Sequence, residues 1–171
     1  MKRTVLVIST TCLLALGAKA QHTTQKTTNN KNSTTMTTVN KSTAPVQTFF
    51  SAFGKGDFEG VINSFSDDCK ITAVRDGKRE DQQIYGAYNG KDGAKAFLTN
   101  LGNAFDTKAF SVEHLVGEGN IAFANGKFTH VVKVTGKTFT SDWSLMCEIK
   151  DGKISTYHFY EDSAKYVEAS K

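Results

Sequence analysis

The sequence predicts an α+β domain, and three observations carry that expectation. Apolar residues recur at helical spacing in the first half of the chain: Val46, Phe49, Phe50 and Phe53, then Phe58, Val61, Ile62 and Phe65, then Ala94, Phe97, Leu98 and Leu101. The second half reads as β-rich segments, 110–116, 121–134 and 138–149, with Gly119-Asn120 and a turn near Thr135-Gly136 between them. The stretch Asp142 to Asp162, DWSLMCEIKDGKISTYHFYED, adds a hairpin. Asp151-Gly152 suits a type I′ turn, in which both central residues take positive φ.

Taken in order, the chain opens with a leader. Lys2 and Arg3 precede an apolar run from Val5 to Gly17, and Ala18-Lys19-Ala20 supplies small residues for cleavage before Gln21. The run is too short to span a bilayer, so residues 1–20 read as a signal peptide with no stable membrane anchor after its removal. The destination is secreted or periplasmic. Residues 21–43 are rich in Thr, Asn, Lys and Gln and carry little apolar surface, the composition of a disordered linker. The folded domain is expected over 44–171.

Pro45 suits the first turn of a helix, and Gly54 and Gly56 suit its end. Asp57 is placed to cap a second helix. A strand over 69–74 follows, then a charged loop, a short strand over 84–88 and a third helix over 91–105. Ser163 to Ser170 suits a last helical turn, with Asp162 as its cap.

Charge and cysteine content narrow the function. Lys2, Arg3 and Lys19 leave with the leader, which lowers the net charge from +4 to +1. That removes the electrostatic case for nucleic acid. Cys69 and Cys147 remain, on apolar strands, where buried free thiols are the commoner state. The histidines and cysteines show no metal-ligand spacing, and neither a phosphate-binding glycine loop nor a nucleophile elbow is present. No metal or cofactor is expected.

Three pieces, in order, resemble the nuclear transport factor 2-like superfamily, and its SnoaL-like and ketosteroid-isomerase-related branch in particular. They are VQTFFSAFGKGDFEGVINSFSDDCKITAV (46–74), YGAYNGKDGAKAFLTNL (85–101) and DGKISTYHFYED (151–162). The resemblance implies a curved, mixed, mostly antiparallel sheet wrapped around three helices of the N-terminal half. It implies a cystatin-like cone with a central pocket, and often a homodimer. The steroid-isomerase mechanism, an Asp base with a Tyr and a protonated Asp at the oxyanion, does not carry over. Its tyrosine position falls on Phe49, its base on Ala73 and its second aspartate on or beside Leu145, and none of these side chains can hold a proton.

Candidate site residues follow from the hairpin register. With Asp151-Gly152 as a two-residue turn, Ile149 faces Ile154, Cys147 faces Thr156, Leu145 faces His158 and Trp143 faces Tyr160. This face is expected to look inward; a bulge would exchange the two faces. The opposite face would carry Met146, Tyr157 and Phe159, a surface for a dimer or another partner. His158 is then a candidate general acid or base, against the alternative of a core histidine bonded to a backbone carbonyl. A two-residue turn at Thr135-Gly136 would bring His130 to the same surface. Trp143 and Tyr160 line a pocket or simply pack the core; Phe49, Phe53 and Tyr88 form the wall opposite, with Ala73 and Leu145 between. The expected ligand is a small apolar or aromatic molecule. The chemistry open to the site is cofactor-free proton transfer of isomerase, cyclase or hydrolase type. The alternative is a non-enzymatic binding or dimerisation module using the outer sheet face.

Overall fold

The computed structural model describes residues 40–80 and 83–171. The leader and the linker up to residue 39 lie outside them. The described part opens at Asn40, whose side chain accepts from Ser42 N at 3.0 Å and donates to Gly117 O at 2.6 Å. Ser42 is fully buried, so the fold's first contacts precede residue 44.

Helix α1 (Thr43–Gly54) buries Val46, Phe49 and Ala52 along one stripe. Gly56, at φ 68°, reverses the chain. Asp57 caps α2 (Phe58–Asn63) by accepting from Gly60 N at 2.9 Å. Phe65, expected to close the α2 stripe, instead opens β1 (Phe65–Ala73). Its ring packs edge-on against Phe49 at 5.7 Å and against Tyr157 at 5.8 Å. Tertiary pairing, Phe65 beside Ile154, overrides the helical period there. Next come β2 (Gly86–Asn89), α3 (Gly90–Ala104), β3 (Phe105–Glu118), β4 (Ile121–Val132), β5 (Thr138–Lys150), β6 (Lys153–Glu161) and α4 (Ser163–Ala169). Asp162 caps α4, accepting from Lys165 N at 3.2 Å.

One six-stranded, curved and open sheet results, in the order β2-β1-β6-β5-β4-β3. Only the β1–β6 pair is parallel. The predicted class therefore stands: a mixed, mostly antiparallel sheet with three helices from the N-terminal half.

Two hairpins set which side chains enter the core. Between β4 and β5 the turn covers Lys133–Gly136, closed by Val132 N donating to Lys137 O at 2.9 Å. It is four residues long rather than two, so His130 pairs with Phe139. The slip is two positions, and His130 stays on the face of Trp143. Between β5 and β6, Asp151 and Gly152 take φ of 51° and 72°, and Lys150 pairs with Lys153 as expected. One pair later Ile149 meets Ile154, but Glu148 meets Thr156. Ser155 is an extra residue, a β-bulge.

Beyond that bulge the expected register is wrong by one. Leu145 pairs with Phe159, not His158, and Trp143 with Glu161, not Tyr160. Tyr157, Phe159 and Glu161 therefore point inward, while His158 and Tyr160 point outward. The physical reason is burial. The exchange puts two aromatic rings into the core and leaves an imidazole and a phenol with access to water.

Candidate functional site

A cavity of about 240 Å³ opens between α1, α2 and α3 and the inner face of the sheet. Its walls are aromatic: Phe49, Phe50 and Phe53 from α1, Phe97 from α3, Phe105 and Phe110 from β3, Tyr157 and Phe159 from β6. Behind this lining lies Trp143. Its indole stacks on Phe110 at 5.1 Å and on Phe159 at 5.6 Å, and Phe50 tilts against it at 5.5 Å. Gly126 makes room for that stack. A Cβ there would lie 1.9 Å from Ser111 O and 2.8 Å from Trp143 Cζ2. At the edge of β1, Val74 also lines the cavity, with φ of 63°. That is a strained conformation for a β-branched residue, held by Val74 N donating to Phe159 O at 2.8 Å.

Two polar features interrupt the aromatic lining. Tyr85, in the loop before β2, donates its hydroxyl to Glu161, the last residue of β6. Burial is the main influence on Glu161 and raises its pKa from 4.5 to about 7. The Tyr85 hydrogen bond opposes that rise and the nearby Asp162 adds to it. Tyr85 is itself pushed far above the usual phenol range, by burial and then by the charge of Glu161. The second feature is His130. Its ring lies between Phe128, at 4.1 Å and 17°, and Phe105, at 4.8 Å and 18°. Burial lowers its pKa to about 4, so it is neutral at physiological pH. Its Nδ1 is buried and has no hydrogen-bond partner among the described residues.

The cavity brings together four of the residues singled out from the sequence: Phe49, Phe53, Ala73 and His130. Trp143 and Leu145 face the same way but are sealed behind the lining, 2% and 1% exposed. Tyr88 belongs to the core rather than the wall. Its hydroxyl donates to Ile84 O at 2.7 Å, and its ring packs edge-on against Phe97 at 5.3 Å. His158 and Tyr160 sit on the other side of the sheet, a correction that follows from the bulge. They stack on each other at 4.1 Å, with Tyr160 Oη 2.9 Å from His158 Nδ1. His158 therefore has no path to the cavity. The outer face carries Met146 as expected, but with Phe123 and Val116 beside it instead of Tyr157 and Phe159.

Sequence reasoning passed over Glu161 and Tyr85. The bulge-free register puts Glu161, in alternation with Tyr157 and Phe159, on the outer face, and Tyr85 lies in the 85–101 motif, which speaks to the fold. The usable signal was Glu161 itself, an acidic residue between the tyrosine and aspartate of the closing Tyr160-Glu161-Asp162 segment. Cys69 and Cys147 are both buried and unpaired, and burial raises both thiols. Among the described residues no cluster of three or more His, Cys, Asp or Glu could hold a metal, and no helix is long and apolar enough to cross a membrane.

A curved sheet closed over helices, with a ring-lined interior and one partly buried carboxylate among its lining residues, defines an α+β fold with an internal apolar cavity. The family model described as "SnoaL-like domain" matches residues 46–157, and the chain belongs to that family. Solved structures agree on the fold. An NTF2-like protein from Burkholderia xenovorans LB400 is 22% identical with a TM-score of 0.67, over 77% of this chain and 96% of that one. TerC, co-crystallised with polyporic acid, is 16% identical with a TM-score of 0.65, over 77% and 98%. A Xanthomonas campestris pv. campestris protein provisionally assigned as a polyketide cyclase is 17% identical with a TM-score of 0.62, over 77% and 97%. No curated protein matches the chain.

Proposed function

We propose that this domain binds a small apolar or aromatic molecule in its ring-lined cavity and moves a proton on it without a cofactor. The observation that carries the reading is Glu161. It is a partly buried carboxyl group among aromatic side chains, pushed up by burial to about 7 and held by the Tyr85 hydroxyl. A group poised near neutrality both accepts and returns a proton at physiological pH, as isomerase, cyclase or hydrolase chemistry requires. His130, kept neutral by burial, contributes its ring to the lining.

Trp143, the only tryptophan, stacks directly behind the lining and serves as the reporter. A flat aromatic ligand is expected to change its fluorescence saturably, and Ala73→Phe, which fills the cavity, is expected to abolish the change. A signal that survives Ala73→Phe places the ligand elsewhere and ends the reading. On any substrate so found, Glu161→Gln is expected to lower kcat by about 100-fold or more.

A second reading rests on the outer face. Val116 is 62% exposed and Phe123 53%, beside Met146 and Tyr160, an apolar patch suited to a second copy of the chain. Sedimentation of Phe123→Asp against the parent protein tests it, and an unchanged monomer in both rejects it. Export to the periplasm or medium is supported by the charged start, apolar run and small-residue site of residues 1–20. A mature protein beginning at Gln21 is the expected product.

A further inference from the structure

We propose that the ligand of this cavity is an organic cation, an amine whose ring occupies the aromatic part of the cavity and whose ammonium group meets Glu161. This rests on the reading of the cavity as a ligand site and names the charge its occupant carries.

Three features of the wall point to it. The first is the sign of the charged groups. Among the described residues no Lys or Arg lines the cavity, and its two acidic side chains are Glu161, partly buried, and Asp57, exposed. An anionic ligand would lose its hydration and find only carboxylates, an uncompensated cost. A cation exchanges water for a countercharge.

The second feature is the unfilled capacity of Glu161. A carboxylate accepts at about four lone-pair sites. Among the described residues its side chain takes one hydrogen bond, from Tyr85. An ammonium group has donors, and no acceptors, to bring to the remaining sites. The Tyr85 hydroxyl already donates to the carboxylate, so it steadies the charged form that the cation requires.

The third is the lining itself. Aromatic faces carry negative charge density and attract ammonium groups, more strongly where water is excluded. Phe53, Phe110, Tyr157 and Phe159 provide such faces around the cavity. His130 does not oppose this. With its ring held between Phe105 and Phe128 and Nδ1 unpartnered, it stays uncharged and repels no cation.

The test compares three probes of one shape on the full chain at about pH 8, where Glu161 is mostly ionised: naphthylmethylammonium, naphthylmethanol and naphthoate. Isothermal titration calorimetry gives each Kd. The ammonium is expected to bind about tenfold tighter than the alcohol, and naphthoate about tenfold weaker. Glu161→Gln should bring the ammonium to the affinity of the alcohol and leave the alcohol within about twofold. Calorimetry of the unaltered protein at about pH 7, in buffers of different ionisation enthalpy, gives a readout that needs no variant. The ammonium is expected to displace about half a proton from Glu161 and the alcohol none.

Naphthoate binding as well as the ammonium overturns the proposal, as does a cation preference that persists in Glu161→Gln. If the alcohol binds and the ammonium binds no better, the charge assignment falls and the pocket stands. If none of the three binds, both fall.

Discussion

Strand β5 has a partner on each side, and the two partnerships depart from the simplest hairpin in different ways. Toward β4 the departure is in the turn: Lys133–Gly136 is two residues longer than the shortest loop, and His130 comes to rest beside Phe139. Toward β6 the turn is the shortest type and the departure is inside the strand, where Ser155 adds one residue. An even slip moves side chains along a face. An odd slip moves them through the sheet. That difference decides why His130 meets the cavity and His158 meets the surface, and why Glu161, rather than Tyr160, stands across from Trp143.

The largest expected effect comes from neighbours on β6. Tyr157 is 4% exposed and packs against Phe49, Phe65 and Phe97. Tyr157→Ala should cost about 3–5 kcal/mol in chemical denaturation. His158→Ala, one residue along and on the other face, should cost less than about 1 kcal/mol. Equal losses would break the claim that Ser155 separates the faces.

Two titrating groups of the cavity lining give opposite pH slopes. His130 has its pKa lowered from 6.5 to about 4. The unfolded chain therefore takes its proton first, and stability falls as pH drops from 6.5 toward 4, by at most about 3 kcal/mol. Glu161 has its pKa raised from 4.5 to about 7. Its contribution is full below pH 4.5 and is lost as pH rises through 7, by a similar amount at most. Denaturation midpoints across this range should show His130→Phe flattening the acid limb and Glu161→Gln raising stability above neutrality. An acid limb that responds to His158→Ala instead would reverse the roles of the two histidines.

The smallest effect sharpens the comparison most. Deleting Ser155 removes the bulge but keeps Glu148 opposite Thr156, so Tyr157, Phe159 and Glu161 should stay inside, at a cost of about 1–2 kcal/mol. Glu161 should still titrate near 7 by carboxyl NMR. A return toward the ordinary carboxylate value would mean that the bulge shapes the cavity as well as the register.

The class, the order of elements and the aromatic wall on α1 were legible because helical spacing and the Asp151-Gly152 turn are local signals. Asp57 and Asp162 as caps were legible for the same reason. His130 was placed correctly on a turn of the wrong length, because an even error conceals itself. The proton-bearing end of the cavity was not legible. Lys150 and Lys153 still pair as a bulge-free hairpin demands, and nothing in the local sequence at Ser155 announces an extra residue. The exchange of faces follows from the volume of Tyr157 and Phe159 against helices remote in sequence.

The bulge also acts as a boundary for exchange between related chains. Cut in the turn, before Ser155, a recombinant takes the whole of β6, extra residue included, from one parent and keeps every later side chain on its own face. Cut beyond Thr156, aligned residue for residue with an unbulged relative, the exchange shifts the rest of the strand by one position and delivers it inside out, so the viable crossover point lies in the turn and not in the strand.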